Sequence, residues 1–150
     1  YIASDVSSVI LERNKSEYSD FNNVNFVLID ITKNNLPKAD VGFIRQVLQH
    51  LSNQSIKKFV TYVNQHKPFK HLLVTEHLSN SNTFRENIDK PTGSGIRVNL
   101  NSGVVLHQKP FLLNFQSYKV LLDVPVYIKN PEDPEGKVLN TVIRTTLYKF

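Results

Sequence analysis

The sequence predicts an α/β fold: a mostly parallel sheet with helices on its faces and an antiparallel β-hairpin at the C-terminal end. Three observations lead there. Apolar strand-like runs alternate with helical patterns as far as residue 76, the order that gives a parallel sheet with right-handed crossovers. Two of those runs end in an aspartate, Asp5 and Asp30. From residue 118 the order changes to two strand-like runs around 130–137, a segment dense in Pro, Asp, Glu and Gly. That is the composition of a hairpin with a longish loop.

Each element has its own justification. Residues 1–6, Tyr-Ile-Ala-Ser-Asp-Val, read as the end of a strand with Asp5 at its carboxyl edge. Ser7 or Ser8 then supplies an N-cap for a helix from Val9 to about Tyr18, whose apolar stripe is thin. Val24 to Asp30 is nearly continuous in apolar residues, which fits a strand buried on both faces. Residues 34–38, Asn-Asn-Leu-Pro-Lys, are a loop by composition. Ala39 to Ile44 is a short strand, and Arg45 to Leu51 turns off it. Ser52 or Asn53 caps the clearest helix, in which Ile56, Phe59, Val60 and Val63 recur at i, i+3, i+4 and i+7 while Lys57 and Lys58 point away. It ends before Pro68. His71 to Glu76 is a fourth strand. Residues 79–103 are rich in Asn, Ser, Thr and Gly without a clean period; loops of this length tend to be functional lids or disordered. Residues 118–124 and 138–148 form the terminal hairpin.

Composition narrows the function classes. A chain of 150 residues is enough for one domain, taken as 1–150, and not comfortably for two. No apolar run approaches the ~18 residues of a membrane span, and no signal-peptide pattern opens the chain, so no membrane partner is expected. Cysteine is absent, which removes disulfides and thiolate metal sites and fits a reducing cytoplasm. The five histidines have no metal-ligand spacing, so no metal is expected. The net charge is +5, but the basic residues are scattered in pairs or triplets at most, and a solvated basic surface outweighs a nucleic-acid face. The chain opens at Tyr1 directly on a strand pattern. Strands seldom begin at a natural terminus without loose residues ahead of them, so further sequence is expected before Tyr1.

A parallel alternating sheet finished by an antiparallel hairpin resembles the class I S-adenosylmethionine-dependent methyltransferases, which are Rossmann-like. Residues 1–7, YIASDVS, are similar to that family's second strand with its terminal acid, and 25–31, NFVLIDI, to its third. Residues 40–52, DVGFIRQVLQHLS, resemble the fourth strand and the turn that follows; 71–77, HLLVTEH, resemble the fifth. The resemblance covers about the whole chain, with RQVLQHLS and the two strand-end aspartates as its more specific parts. It also implies a first strand and a glycine-rich loop, which none of Gly42, Gly93, Gly95, Gly103 and Gly136 is placed to supply. GSG at 93–95 lacks a flanking strand and helix. Three readings stay open: the preceding residues carry the loop, a homo-oligomer or companion chain supplies it, or the chain is a non-catalytic remnant.

The resemblance assigns roles residue by residue. Asp5, with Val6, would hold the ribose of S-adenosylmethionine, because a strand-end carboxylate can accept from both sugar hydroxyls; the alternative is an acid favoured at a helix N-terminus. Asp30 would accept from the adenine amine and Ile31 would pack on the ring; equally, Asp30 is a loop acid after a strand. Arg45 and Gln46 would line the methionine part, or form a structural turn. For His50, capping or packing is the stronger reading. His77, just past the fourth strand of this chain, is the candidate for proton removal, since imidazole titrates near neutral pH; His107 is a distant second. Arg97, Phe111 and Phe115 are candidate walls of the substrate side, by position in the 79–117 segment.

The function these readings support is methyl transfer from S-adenosylmethionine to a small-molecule oxygen or nitrogen by in-line displacement. The alternative is a non-catalytic scaffold or partner-binding fragment. Nucleic-acid methylation rests on charge alone, and the Asp/Asn-Pro-Pro-aromatic turn common in base-amine methyltransferases is missing after Ile44. A nicotinamide dehydrogenase is disfavoured by the terminal hairpin.

Overall fold

The computed structural model describes residues 1–33, 35–129 and 138–150. Asn34 of the expected 34–38 loop, and the expected hairpin loop 130–137, lie outside the described residues. Contacts divide the chain into two compact units, Tyr1–Leu36 and Pro37–Phe150.

The first unit is a single strand–helix–strand element: β1 (Ile2–Asp5), α1 (Ser8–Glu17) and β2 (Asn25–Leu28). The strands pair in parallel, from Ile2 opposite Asn25 to Asp5 opposite Leu28. Ser7 is the N-cap, its side chain accepting from the Ile10 N–H at 3.4 Å, which serves one of the donors that a first helical turn leaves open. α1 buries only Leu11, in keeping with its thin apolar stripe. β2 is shorter than the expected Val24–Asp30. The Ile29 N–H still reaches the Asp5 carbonyl at 3.0 Å, but the Asp30 carboxylate turns to the backbone and hydroxyl of Thr32. Such local bonds compete with a ladder. Burial on both faces is not met: Val27 and Leu28 of β2 are exposed.

The second unit holds β3 (Ala39–Arg45), α2 (Asn53–His66), β4 (Phe69–Ser79), β5 (Ser117–Lys129) and β6 (Val138–Lys149), with short 3₁₀ turns at Leu48–His50 and Arg97–Leu100. The sheet order is β3-β4-β6-β5. β3 and β4 are parallel, from Ala39 opposite Phe69 to Arg45 opposite Thr75; the terminal hairpin adds antiparallel pairs, β6 on β4 and β5 on β6. The helix-linked strands are thus the parallel ones, as the alternation predicts. β4 and β5 both run longer than their apolar runs suggest, because the hairpin offers partners as far as Ser79 opposite Thr141 and Lys129 opposite Val138. An irregularity at Val120/Leu122 shifts the β5 register, the signature of a bulge.

α2 behaves as its periodicity requires. Ser52 caps it, its Oγ accepting from the Ser55 N–H at 3.3 Å, and Ile56, Phe59, Val60 and Val63 are all at most 1% exposed. It ends with Lys67 in the left-handed region, φ 42°, directly ahead of Pro68, which cannot continue a helix. Along β4 the side chains alternate between faces. Leu72, Val74, Glu76 and Leu78 share one face, on which Leu72 and Val74 lie beside Gly42 and Ile44 of β3; Thr75 and His77 are on the other. Gly42 is required by close approach, since a Cβ there would stand 2.8 Å from the Phe69 ring.

Candidate functional site

The carboxyl ends of parallel strands are where α/β sheets open crevices, and most of the sequence-predicted residues lie at such ends. In the first unit Asp5 closes β1 and Asp30 follows β2. Asp5 is half-buried. Its Oδ1 accepts from the Ser7 N–H at 2.8 Å, while its Oδ2 accepts no hydrogen bond among the described residues. Asp30 is more heavily engaged: Oδ1 accepts from the Thr32 N–H at 2.9 Å and the Thr32 hydroxyl at 2.7 Å, and Lys33 Nζ lies 3.1 Å from Oδ2. The Thr32 hydroxyl, then the Thr32 amide and Lys33, hold its carboxyl below the usual range. Val6 is exposed and Ile31 half-buried.

In the second unit β3 ends at Arg45, which is exposed. Gln46 takes φ 54° while its N–H still reaches the Thr75 carbonyl at 2.7 Å. That left-handed residue, uncommon for a side chain with a Cβ, throws the chain off the sheet into the 3₁₀ turn Leu48–His50.

Two buried ionisable side chains grip this turn. Glu76 is 2% exposed, and its Oε1 accepts from the Leu48 N–H at 3.0 Å. Arg97 is 0% exposed. Its Nη1 donates to the carbonyls of Leu48 and Gln49, both at 3.2 Å. Its Nη2 donates to the Leu51 carbonyl at 2.7 Å and to Asn53 Oδ1 at 3.0 Å. Its Nε donates to the Ile88 carbonyl at 3.0 Å. These bonds use all five guanidinium N–H groups. Burial pushes the Glu76 carboxyl up to about 8, against the Leu48, Gln49 and Val47 amides and the charge of Arg97, which favour ionisation. Among the described residues, Oε2 of Glu76 is a buried acceptor without a hydrogen bond; the Gln49 and Val47 amides face the same carboxyl but are not in bonding geometry with it.

Three of the sequence-predicted residues lie in the interior. Arg97, expected as a wall residue, has no donor left for a ligand, because the carbonyls of a turn some 48 residues earlier in sequence take them all. Phe111, likewise expected as a wall, is 5% exposed and belongs to the core. His77 lies inside β4 and not beyond it. It is 7% exposed, with its N–H bonded to Gln49 Oε1 at 3.2 Å and its Nε2 2.6 Å from Thr141 Oγ1. Thr141 Oγ1 donates its one proton to the Val126 carbonyl at 2.6 Å. Nε2 of His77 is therefore the donor toward Thr141, leaving the lone pair on Nδ1. Burial lowers the imidazole below its ordinary value, so the ring is neutral at pH 7. Phe115 is half-buried, edge-on to Tyr118 and Tyr148. His50 holds Gln49 Nε2 at 3.3 Å. The 79–103 segment is neither strand nor helix over most of its length, but it is pinned: Asn87 Oδ1 accepts from the Val105 N–H at 2.8 Å, and its Nδ2 donates to the Val105 and Lys109 carbonyls, both at 2.9 Å.

Sequence reasoning missed a cavity of about 220 Å³ on the Glu76 face of β4. It is lined by Glu76, by Arg144 and Tyr148 of β6, by Tyr118 of β5, and by Glu86 and His107 of the pinned segment. His107 stacks on Tyr118 with ring centroids 4.3 Å apart, and its Nδ1 lies 3.0 Å from the Tyr148 hydroxyl. One signal was present: Glu76 interrupts the apolar face of a strand at the position where the period of two calls for another Val or Leu. For Arg97 there was none, since its partners are remote in sequence.

No family model and no curated protein matches the chain. Solved structures do. The N-methyltransferase NodS from Bradyrhizobium japonicum WM9, in complex with S-adenosyl-L-homocysteine, matches with a TM-score of 0.59 at 10% identity, over 99% of this chain and 65% of that one. The fold is that of a methyltransferase. The methyltransferase domain of bacterial CtHen1-CN agrees, with a TM-score of 0.52 at 12% identity over 99% of this chain and 77% of that domain. So does TehB from Haemophilus influenzae, with a TM-score of 0.52 at 14% identity over 99% and 49% of the two chains. The chain spans 65% of the NodS chain and 49% of the TehB chain. At such identities the likeness is one of fold, and the methyltransferase fold with its terminal hairpin is what the strand order predicted. No helix of the described residues is long and apolar enough to cross a membrane.

Proposed function

We propose that the protein transfers a methyl group from S-adenosylmethionine to a small-molecule oxygen or nitrogen. The observation that carries this reading is the methyltransferase fold matched over 99% of the chain by an enzyme crystallised with S-adenosyl-L-homocysteine, with one carboxylate at the end of β1 and another just past β2. Fold alone does not fix function, so the residues must fit the cofactor. Asp5 does: its unengaged Oδ2 can accept from a ribose hydroxyl. In this reading Val6 lies along the ribose and Asp30 and Ile31 serve the adenine; in the second unit, taken by itself, the exposed Arg45 guanidinium beside Gln46 can pair with a carboxylate. When bound, the cofactor supplies a methyl carbon on a sulfonium, open to in-line displacement by an acceptor lone pair. The protein's contribution is alignment and exclusion of water, where proximity is worth roughly 7–11 kcal/mol. His77, neutral and with its lone pair on Nδ1, is the proposed base for an acceptor that must lose a proton.

Calorimetric titration of S-adenosylhomocysteine into the protein and into Asp5→Ala tests this reading. The expected result is saturable binding that weakens at least tenfold in the variant. Absence of binding to the unaltered protein would overturn it. That result would favour the second reading, a non-catalytic scaffold that binds a partner, supported by the outer edge of β3. There no strand pairs among the described residues, and Val41 and Phe43 are 52% and 57% exposed.

A further inference from the structure

His77 and Thr141 are 64 positions apart in sequence and meet because of strand register. β6 runs antiparallel beside β4, with Thr141 opposite Ser79 and Ile143 opposite His77. Residues two apart on a strand share a face, so Thr141 stands on the side of the sheet that carries His77. It is one diagonal step away, a separation that a long or ring side chain can span. Both residues are buried. The Thr141 hydroxyl lies 2.6 Å from His77 Nε2 and 2.6 Å from the carbonyl of Val126, its partner on β5. Two oxygens at that separation hold a proton between them, and a carbonyl has none to give, so the proton is the threonine's own. The hydroxyl therefore meets the imidazole with a lone pair. A ring with its proton on Nδ1 would set the Nε2 lone pair against that oxygen with nothing between them.

We propose that Thr141 is a positioning residue for His77, holding the ring through the Nε2–H bond in one tautomer and one plane, with the proton acceptor on Nδ1. The inference rests on the reading of His77 as the base for an acceptor that must lose a proton. It adds that the base is set by the terminal hairpin and not by the strand that carries it. β4 supplies the imidazole, β6 the hydroxyl, and β5 the carbonyl that orients the hydroxyl. No other described side chain bonds to the ring. Gln49 Oε1 accepts from the His77 backbone N–H at 3.2 Å, which fixes the strand and leaves the ring free to turn. Thr75, two residues earlier on the same face, has its hydroxyl 2.8 Å from that of Thr145. Which ring nitrogen is the acceptor is set by the bond that the other one makes, and a base that works in one orientation needs its ring locked by such a supporting contact. Nδ1 accepts no hydrogen bond among the described residues. It is not sealed either, since the buried side-chain atom without a partner among them is Glu76 Oε2.

The tautomer can be read from the two ring nitrogens in long-range proton–nitrogen correlation spectra of isotope-labelled protein at neutral pH, with His77→Gln identifying the signals. The unaltered protein should show His77 in a single form with its proton on Nε2. Thr141→Val keeps the shape of the side chain and removes the oxygen. It should bring in the second tautomer, seen as the two nitrogen shifts moving toward one another, and Thr141→Ser should restore the single form. Loss of packing alone would not distinguish the valine from the serine in this way. Should the valine variant fail to fold by circular dichroism, Thr141→Cys decides, since a thiol is a weak acceptor and should loosen the tautomer in the same sense. A proton on Nδ1 in the unaltered protein, or His77 nitrogen shifts unchanged in the folded valine or cysteine variant, would overturn the proposal. Neither cofactor nor acceptor is present in these spectra, so the outcome is separate from whether S-adenosylhomocysteine binds.

Discussion

Glu76 makes stability depend on pH in a direction opposite to that of most carboxylates. Its folded-state value is pushed up to about 8 from an ordinary 4.5. Between those values the folded protein keeps a proton that the unfolded chain gives up. Stability is therefore greatest, as far as this group is concerned, below the unfolded value, and falls as pH rises until the folded carboxyl has ionised. The slope approaches ~1.4 kcal/mol per pH unit well inside the window, and about 1 kcal/mol is lost between pH 7 and pH 8, where the folded group is part-ionised. That interval avoids His77 and His107, both lowered by burial and both neutral there. The perturbation is Glu76→Gln, which keeps an acceptor for the Leu48 N–H and abolishes the titration. Urea unfolding of both proteins at pH 7 and pH 8 is the assay. The unaltered protein should lose about 0.5 M in midpoint relative to the variant, taking a urea slope near 2 kcal/mol per M. Other groups cancel in the difference. Midpoints that stay parallel in the two proteins would refute the argument, and would mean that Glu76 is charged when folded and stabilised by Arg97 and the turn amides beyond what burial costs.

The other expectations concern the frame around the site. Arg97→Ala should cost about 3–5 kcal/mol, the usual loss when one side of a buried charged network is removed, with the greatest increase in amide exchange at residues 48–51. A loss below about 1 kcal/mol, within the range of an exposed pair, would show that the five bonds are not formed. Gly42→Ala should cost about 1–3 kcal/mol by overpacking against the Phe69 ring, with Phe69→Leu in the same chain recovering part of it; a neutral Ala would mean that the ring has room to retreat.

What the sequence made legible was whatever depends on near neighbours. α2 could be read from four apolar residues and a serine, because a helix face is set by positions three and four apart, and all four side chains are buried. Asp5 and Asp30 could be placed at strand ends because the run of apolar residues before each stops there, and both lie at or just past such an end. The strand ends themselves were misjudged wherever a partner decides them: β4 continues through His77 to Ser79 only because β6 comes alongside, and that also moved His77 from an expected rim into a wall. The burial of Arg97 and Phe111 was the least legible, because both fall in the segment without a period, where composition tells that a chain is irregular and not what it folds against. The same distance that hid Arg97 gives it its place in the reasoning. A 3₁₀ turn has too few internal bonds to hold one shape, so the turn that follows Arg45 and Gln46 depends on a guanidinium 46 to 49 positions away. A turn held from such a distance stays formed only while the second unit is folded around it. The site at the end of β3 and the pinned 79–103 segment should therefore open together in exchange experiments, ahead of the Ile56-to-Val63 core.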